Sequence, residues 1–126
     1  MVGIVIVSHS ENLAKSVIEL TRMMASEALI APAGGLDDGS FGTSFEKIQA
    51  AIESVYSADG VLILMDMGSA VMTTEMVLET LGRENIAMVD CPLVEGAVVA
   101  TIAAVGGQSF EEIRQQLEGV GMVKKF

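Results

Sequence analysis

The sequence predicts an α/β fold: an open, mainly parallel four-stranded sheet of order 2-1-3-4, with helices on both faces in three layers. Two runs carry the prediction. Val2-Gly3-Ile4-Val5-Ile6-Val7 and Gly60-Val61-Leu62-Ile63-Leu64-Met65 are apolar without alternation, as central parallel strands covered on both sides must be. Each gives way to a polar turn and then to helical spacing, through Ser8-His9-Ser10-Glu11 after the first and Asp66-Met67-Gly68-Ser69 after the second. At 126 residues and 51% hydrophobic, with no repeat or shift in composition, residues 1–126 read as a single domain able to bury its own core.

The remaining elements follow in order. Helix one is expected from Glu11 to near Met24, with Leu13, Val17, Leu20 and Met24 as its buried stripe. Ala28-Leu29-Ile30-Ala31-Pro32 reads as a short second strand stopped by its proline, and Ala33–Ser40 as a glycine-rich acidic loop longer than a mere connection needs. Thr43 and Glu46 stand at capping-box spacing before a second helix that buries Phe45, Ile48, Ile52 and Val55. A third helix is expected to end near Leu81, and Ile86–Val89 reads as the fourth strand. Asp90-Cys91-Pro92 then turns into Val94–Val105, apolar all round and therefore buried in this core or against another subunit. Ser109 and Glu112 form another capping-box spacing, with Phe110, Ile113 and Leu117 on one face of a closing helix ended by Gly119 and Gly121. Met65, Met72, Met76 and Met88 are expected to fill core gaps, and Met67 to offer a soft, exposed contact to a partner.

Seventeen acidic against 7 basic side chains give a formal charge of −10, which argues against nucleic acid and anionic membrane surfaces and for a partner with a basic face. Cys91 is the single cysteine, so no intrachain disulfide forms; it reads as a small apolar filler in a reducing compartment. Met1–Val7 lacks a basic n-region and the length of a signal segment, and no apolar run reaches the ~20 residues of a membrane span, so a cytoplasmic location is expected.

In an open parallel sheet, ligands bind beyond the carboxyl ends of the strands where strand order reverses. Order 2-1-3-4 puts that point between strands one and three, which end in His9 and Asp66. The helix starts at this edge favour an anion, and Ser8, Ser10, Thr43, Ser44 and Ser69 add hydroxyls, although hydroxyls there commonly serve as caps. Neither common nucleotide cradle is present, and one histidine and one distant cysteine make a poor metal set, so no cofactor and no metal are expected. A neutral His9 offers a ring lone pair to a phosphoryl group, while Asp66 accepts the proton of the other ring nitrogen and stabilises the positive ring once loaded. The plainer roles are a turn-capping or rim histidine and a turn aspartate.

Four separated segments, Gly3–Ser10, Gly42-Thr43-Ser44, Met65–Ala70 and Pro92–Ala97, together resemble the phosphocarrier subunit of phosphotransferase-system-dependent dihydroxyacetone kinases, relatives of mannose-type enzyme IIA domains. The resemblance runs through nearly the whole chain. It implies that the histidine-containing phosphocarrier protein phosphorylates His9, and that His9 passes the group to ADP on a kinase subunit that serves dihydroxyacetone phosphorylation. It also implies that Asp66 partners His9, that the Gly42-Thr43-Ser44 and Gly68-Ser69 turns line the phosphoryl site with Ser10, and that the chain forms a homodimer. Some members carry fused phosphocarrier and enzyme I domains, whereas this sequence stops at Phe126, so a separate donor protein is expected.

Two other readings of the residues stay open. A receiver-like signalling domain would take the phosphoryl group on Asp66, but Ser8-His9-Ser10 replaces the acidic pair that would hold magnesium, and no lysine follows a later strand end. A non-catalytic assembly module would use the apolar Val94–Val105 segment and take no phosphoryl label.

Overall fold

The strands form because their residues have two apolar faces to hide. The computed structural model describes residues 1–126, with β1 at Gly3–Ser8, β2 at Ile30–Gly34, β3 at Val61–Met65 and β4 at Ile86–Met88. All pairings are parallel and the order is β2-β1-β3-β4, as the sequence predicts. Between and after the strands lie α1 (Glu11–Arg22), α2 (Phe45–Val55), α3 (Val71–Leu81, entered through a 3₁₀ turn at Gly68–Ala70), α4 (Leu93–Val105) and α5 (Phe110–Val120).

Alternation along the two central strands divides the core. Ile4, Ile6, Leu62 and Leu64 point to one side, against Ala14, Val17 and Ile18 of α1, Ala97, Ala100 and Ala104 of α4, and Ile113 and Leu117 of α5. Val5, Val7, Val61 and Ile63 point to the other, against Ile48, Ala51, Ile52 and Val55 of α2 and Val77 of α3. The helices that follow β1 and β3 therefore leave the sheet on opposite faces. A crevice opens between the ends of these two adjacent strands, and the candidate residues His9 and Asp66 meet there.

Several local expectations are corrected. The buried face of α1 is Ala14, Val17, Ile18 and Thr21, whereas Leu13, Leu20 and Met24 are 40%, 38% and 55% exposed. Pro32 lies inside β2, paired with Ile6, instead of ending it; β2 is an edge strand, where a residue without an N–H is tolerated. The cap of α2 is Ser44, whose hydroxyl accepts the Lys47 N–H, so the Thr43–Glu46 box does not form. Met72 and Met76 are exposed, since α3 turns only Thr74 and Val77 fully inward; Met65 and Met88 do pack against the core. The Ser109–Glu112 capping box is present, and α5 passes through Gly119 to end at Val120 with Gly121 as its cap. One side of α4 is buried, but Val94, Ile102 and Val105 stay exposed.

Gly34 lets β2 approach the first turn of α1: a Cβ there would lie 2.5 Å from the Ser10 carbonyl oxygen and 2.9 Å from Ala14 Cβ. The backbone of Ser10 and Glu11 leaves little room to relax. Gly34→Ala is expected to cost about 1–3 kcal/mol of stability by chemical denaturation, while alanine at the open position Gly119 is expected to be tolerated.

Candidate active site

Strand pairing delivers the two chemical groups to one point. Val7 and Met65 are register partners, and the Asp66 N–H donates to the Val7 carbonyl at 3.1 Å, extending the ladder just beyond β3. Asp66 is thereby set beside Ser8 and His9. One carboxylate oxygen, Oδ2, accepts from the His9 N–H at 3.0 Å and from the Ser8 hydroxyl at 2.9 Å; the other, Oδ1, lies 3.0 Å from His9 Nδ1. Ser8 is fully buried, and its hydroxyl oxygen also accepts the Ser10 N–H at 2.9 Å.

This grip sets the tautomer. An ionised carboxylate only accepts hydrogen bonds, so the proton of a neutral His9 ring sits on Nδ1 and the lone pair on Nε2. Nε2 lies 2.9 Å from the Ser69 hydroxyl, which donates to it. The His9 side chain is 22% exposed and that of Asp66 is 11% exposed. The ring is thus reachable from solvent while its carboxylate partner is sheltered.

Burial raises the Asp66 pKa, but hydrogen bonds from the His9 backbone, the Ser8 hydroxyl and the His9 ring outweigh it and hold the carboxyl below its ordinary range. Cys91 goes the other way: burial, helped by the Asp90 charge, pushes its thiol up to about 11. Its sulfur rests on Gly96, where a Cβ would come within 2.5 Å of it. It stays protonated against the α4 side of the core, as an apolar filler would. A cleft of about 330 Å³ opens beside Asp66, lined by Met65, Met67, Val71, Met88 and Cys91 among others.

The remaining sequence-predicted residues divide by what they touch. Ser69 reaches the ring directly, from the 3₁₀ turn that begins at Gly68. The first N–H groups of that turn have no intrahelical acceptors and favour an anion. Ser10 caps α1 and Ser44 caps α2, so both hydroxyl oxygens already accept a backbone N–H. The Gly42 N–H donates to the His9 carbonyl at 2.9 Å, and the Thr43 hydroxyl pairs with that of Thr73 at 3.1 Å, joining the long loop to α3. Met67 is exposed in the turn after Asp66, as expected. Ser8 as the anchor of Asp66 and Thr73 as the partner of Thr43 were not legible beforehand. For Ser8 a signal existed, a hydroxyl at the buried end of an apolar strand, which must find a polar partner.

Because its pKa is lower in the folded chain, Asp66 contributes stability that is fully present above its ordinary value of 3.8 and lost as pH falls through the folded-state value. The stability difference between the wild type and Asp66→Asn, followed by denaturation against pH, is expected to be constant above about pH 5 and to shrink in acid. A pH-independent difference would contradict the depressed carboxyl.

Comparison with known proteins gives the family of the chain. Residues 3–114 match the EIIA-man family model, described as the PTS system fructose IIA component. The phosphotransferase subunit DhaM of a PTS-dependent dihydroxyacetone kinase from Lactococcus lactis is 40% identical over 116 residues, covering 92% of this chain and 93% of that protein. The phosphoryl donor subunit DhaM of the PEP-dependent dihydroxyacetone kinase of Escherichia coli is 45% identical over 120 residues; 90% of this chain is covered, but only 25% of that longer protein. Among solved structures, the unknown-function protein EF1359 superposes with a TM-score of 0.84 at 31% identity, over 99% of this chain and 98% of that one. By the family match through most of its length and by a relative aligned almost end to end, the chain belongs to the EIIA-man family of phosphotransferase-system IIA components.

Proposed function

We propose that this chain is the phosphoryl donor subunit of a phosphotransferase-system-dependent dihydroxyacetone kinase, carrying the phosphoryl group on Nε2 of His9. The observation that carries this reading is the pairing of His9 Nδ1 with Asp66 Oδ1 at 3.0 Å, which leaves Nε2 as the nucleophile at the exposed edge of the site. The DhaM relatives support the kinase assignment. The donor is the histidine-containing phosphocarrier protein, and the acceptor is ADP bound to a kinase subunit. A basic donor face suits a charge of −10. The site is cytoplasmic in this reading, and no helix is long and apolar enough to cross a membrane.

The transfer balances simply. The Nε2 lone pair attacks phosphorus, the bond from phosphorus to the donor's ring nitrogen breaks, and its electron pair stays on that nitrogen. The Nδ1 proton remains in its hydrogen bond to Asp66, whose negative charge offsets the positive ring. The Ser69 hydroxyl turns from Nε2 to a phosphoryl oxygen. Ser10, Thr43 and Ser44 supply further hydroxyls, and Gly42 and Gly68 keep the flanking turns free of side chains. Neutral donors hold the group without the strong grip of a bidentate arginine, which leaves it transferable.

Asp66 is a poorer phosphoryl acceptor than His9, since three donors already occupy its carboxylate. The test is labelling with phosphoenolpyruvate, enzyme I and the histidine phosphocarrier. An acid-labile, base-stable label is expected, absent from His9→Ala and formed about 10²–10⁴-fold more slowly in Asp66→Asn, which loses the proton acceptor that sets the ring tautomer. A base-labile label lost with Asp66→Asn would move the phosphoryl group to the carboxylate, and no label would leave a binding module or a different donor.

The homodimer belongs to the same reading. The exposed Val94, Ile102 and Val105 on α4 support it by offering an apolar face. Light scattering is expected to give twice the chain mass of 13.2 kDa, and Ile102→Glu to lower it to that of one chain.

A further inference from the structure

Lys47 occupies a position that helix physics disfavours. It is the third residue of α2 after the Ser44 cap, in a first turn whose dipole favours negative side chains. A residue that breaks a local rule points to a compensating contact. Here its ammonium donates to the Gly34 carbonyl at 3.1 Å and to the Leu36 carbonyl at 3.2 Å, at the start of the long loop between β2 and α2. That loop is then fixed at successive points. The Gly35 N–H donates to the Ser8 carbonyl at 3.1 Å, and Leu36 packs over Gly42, where a Cβ would lie 3.0 Å from Leu36 Cγ. Gly42, at φ 149°, donates its N–H to the His9 carbonyl at 2.9 Å. The backbone of His9 is therefore held from the β3 side by Asp66 and from the loop side by Gly42.

We infer that Lys47 is a positioning residue for phosphoryl transfer: by tying the Gly34 and Leu36 carbonyls it fixes the loop whose Gly42 N–H sets the His9 backbone. Its role in transfer rests on the function proposed above; its role as a tie does not. Loss of the tie leaves His9 and Asp66 paired but frees one of the two holds on the histidine backbone. Displacement of a nucleophile from its in-line position is costly to the rate even at ångström scale.

The experiment measures phosphorylation of the full chain by phosphoenolpyruvate, enzyme I and the histidine phosphocarrier as donor concentration is varied, together with amide hydrogen exchange at Gly42. Lys47→Met is expected to lower the limiting rate by about tenfold or more, to leave half-saturation little changed, and to speed Gly42 exchange. Lys47→Arg, which keeps donors for both carbonyls, recovers most of the rate. Lys15→Met, which removes the lysine paired with Glu11 on α1, changes neither readout. A wild-type limiting rate in Lys47→Met, or an effect on half-saturation alone, overturns the inference. So does a reduced rate with unchanged Gly42 exchange, which would make Lys47 a direct phosphoryl contact. Should Lys47→Met unfold, Lys47→Gln is judged by the same criteria. Labelling of the wild type is read first: its absence removes the proposed function and with it the role in transfer, while Gly42 exchange still decides whether Lys47 ties the loop.

Discussion

The grip of one carboxylate on one histidine organises this molecule. Asp66 holds His9 twice, at the backbone N–H through Oδ2 and at the ring through Oδ1, and a buried serine holds Asp66. Such bonds require the ends of β1 and β3 to lie side by side with Val7 opposite Met65, which a parallel ladder with both faces covered provides. The two apolar clusters of the core keep that register, because a one-residue slip would exchange the faces of Leu62 and Ile63. Chemistry and folding thus share a constraint.

The parts of the fold that follow from bulk apolar pattern were legible in the sequence, and the parts that follow from close approach were not. β1 and β3 announce themselves as unbroken apolar runs, and their sequels at Ser8–Ser10 and Asp66–Ser69 locate the crevice. The face of α1 was misread because the spacing of its largest apolar residues favours Leu13, Leu20 and Met24. The helix sits so close to Gly34 that small Ala14 must face inward instead, with Val17, Ile18 and Thr21 beside it. Met72 and Met76 are outside because the inward face of α3 is taken by Thr74 and Val77, with Leu78 and Leu81 partly buried beside them. Hydrogen-bond partners are less legible still. His9 and Asp66 could be brought together from topology alone, but the bond from Ser69 to Nε2 depends on the pitch of a single 3₁₀ turn, and no spacing rule specifies that.

The two titratable groups beside the cleft show how environment separates roles. Asp66 and Cys91 both lose water, yet Asp66 receives three hydrogen bonds that favour its charge, while Cys91 has an apolar neighbourhood and a nearby carboxylate that disfavour its thiolate. One stays anionic and ready to serve the imidazole. The other stays a neutral thiol and is chemically quiet.

Pro32 has a consequence of another kind. It lies in β2, whose only neighbour is β1, so its outward-facing backbone position carries no N–H to offer a further strand. Lys15 and Lys47 line the groove beside it, and the opposite border, β4, is short. A half-apolar chain with an exposed sheet margin is a ready template for edge-to-edge polymerisation. An imino acid at one margin and brevity at the other blunt that template, favouring colloidal stability when many copies share a crowded solution.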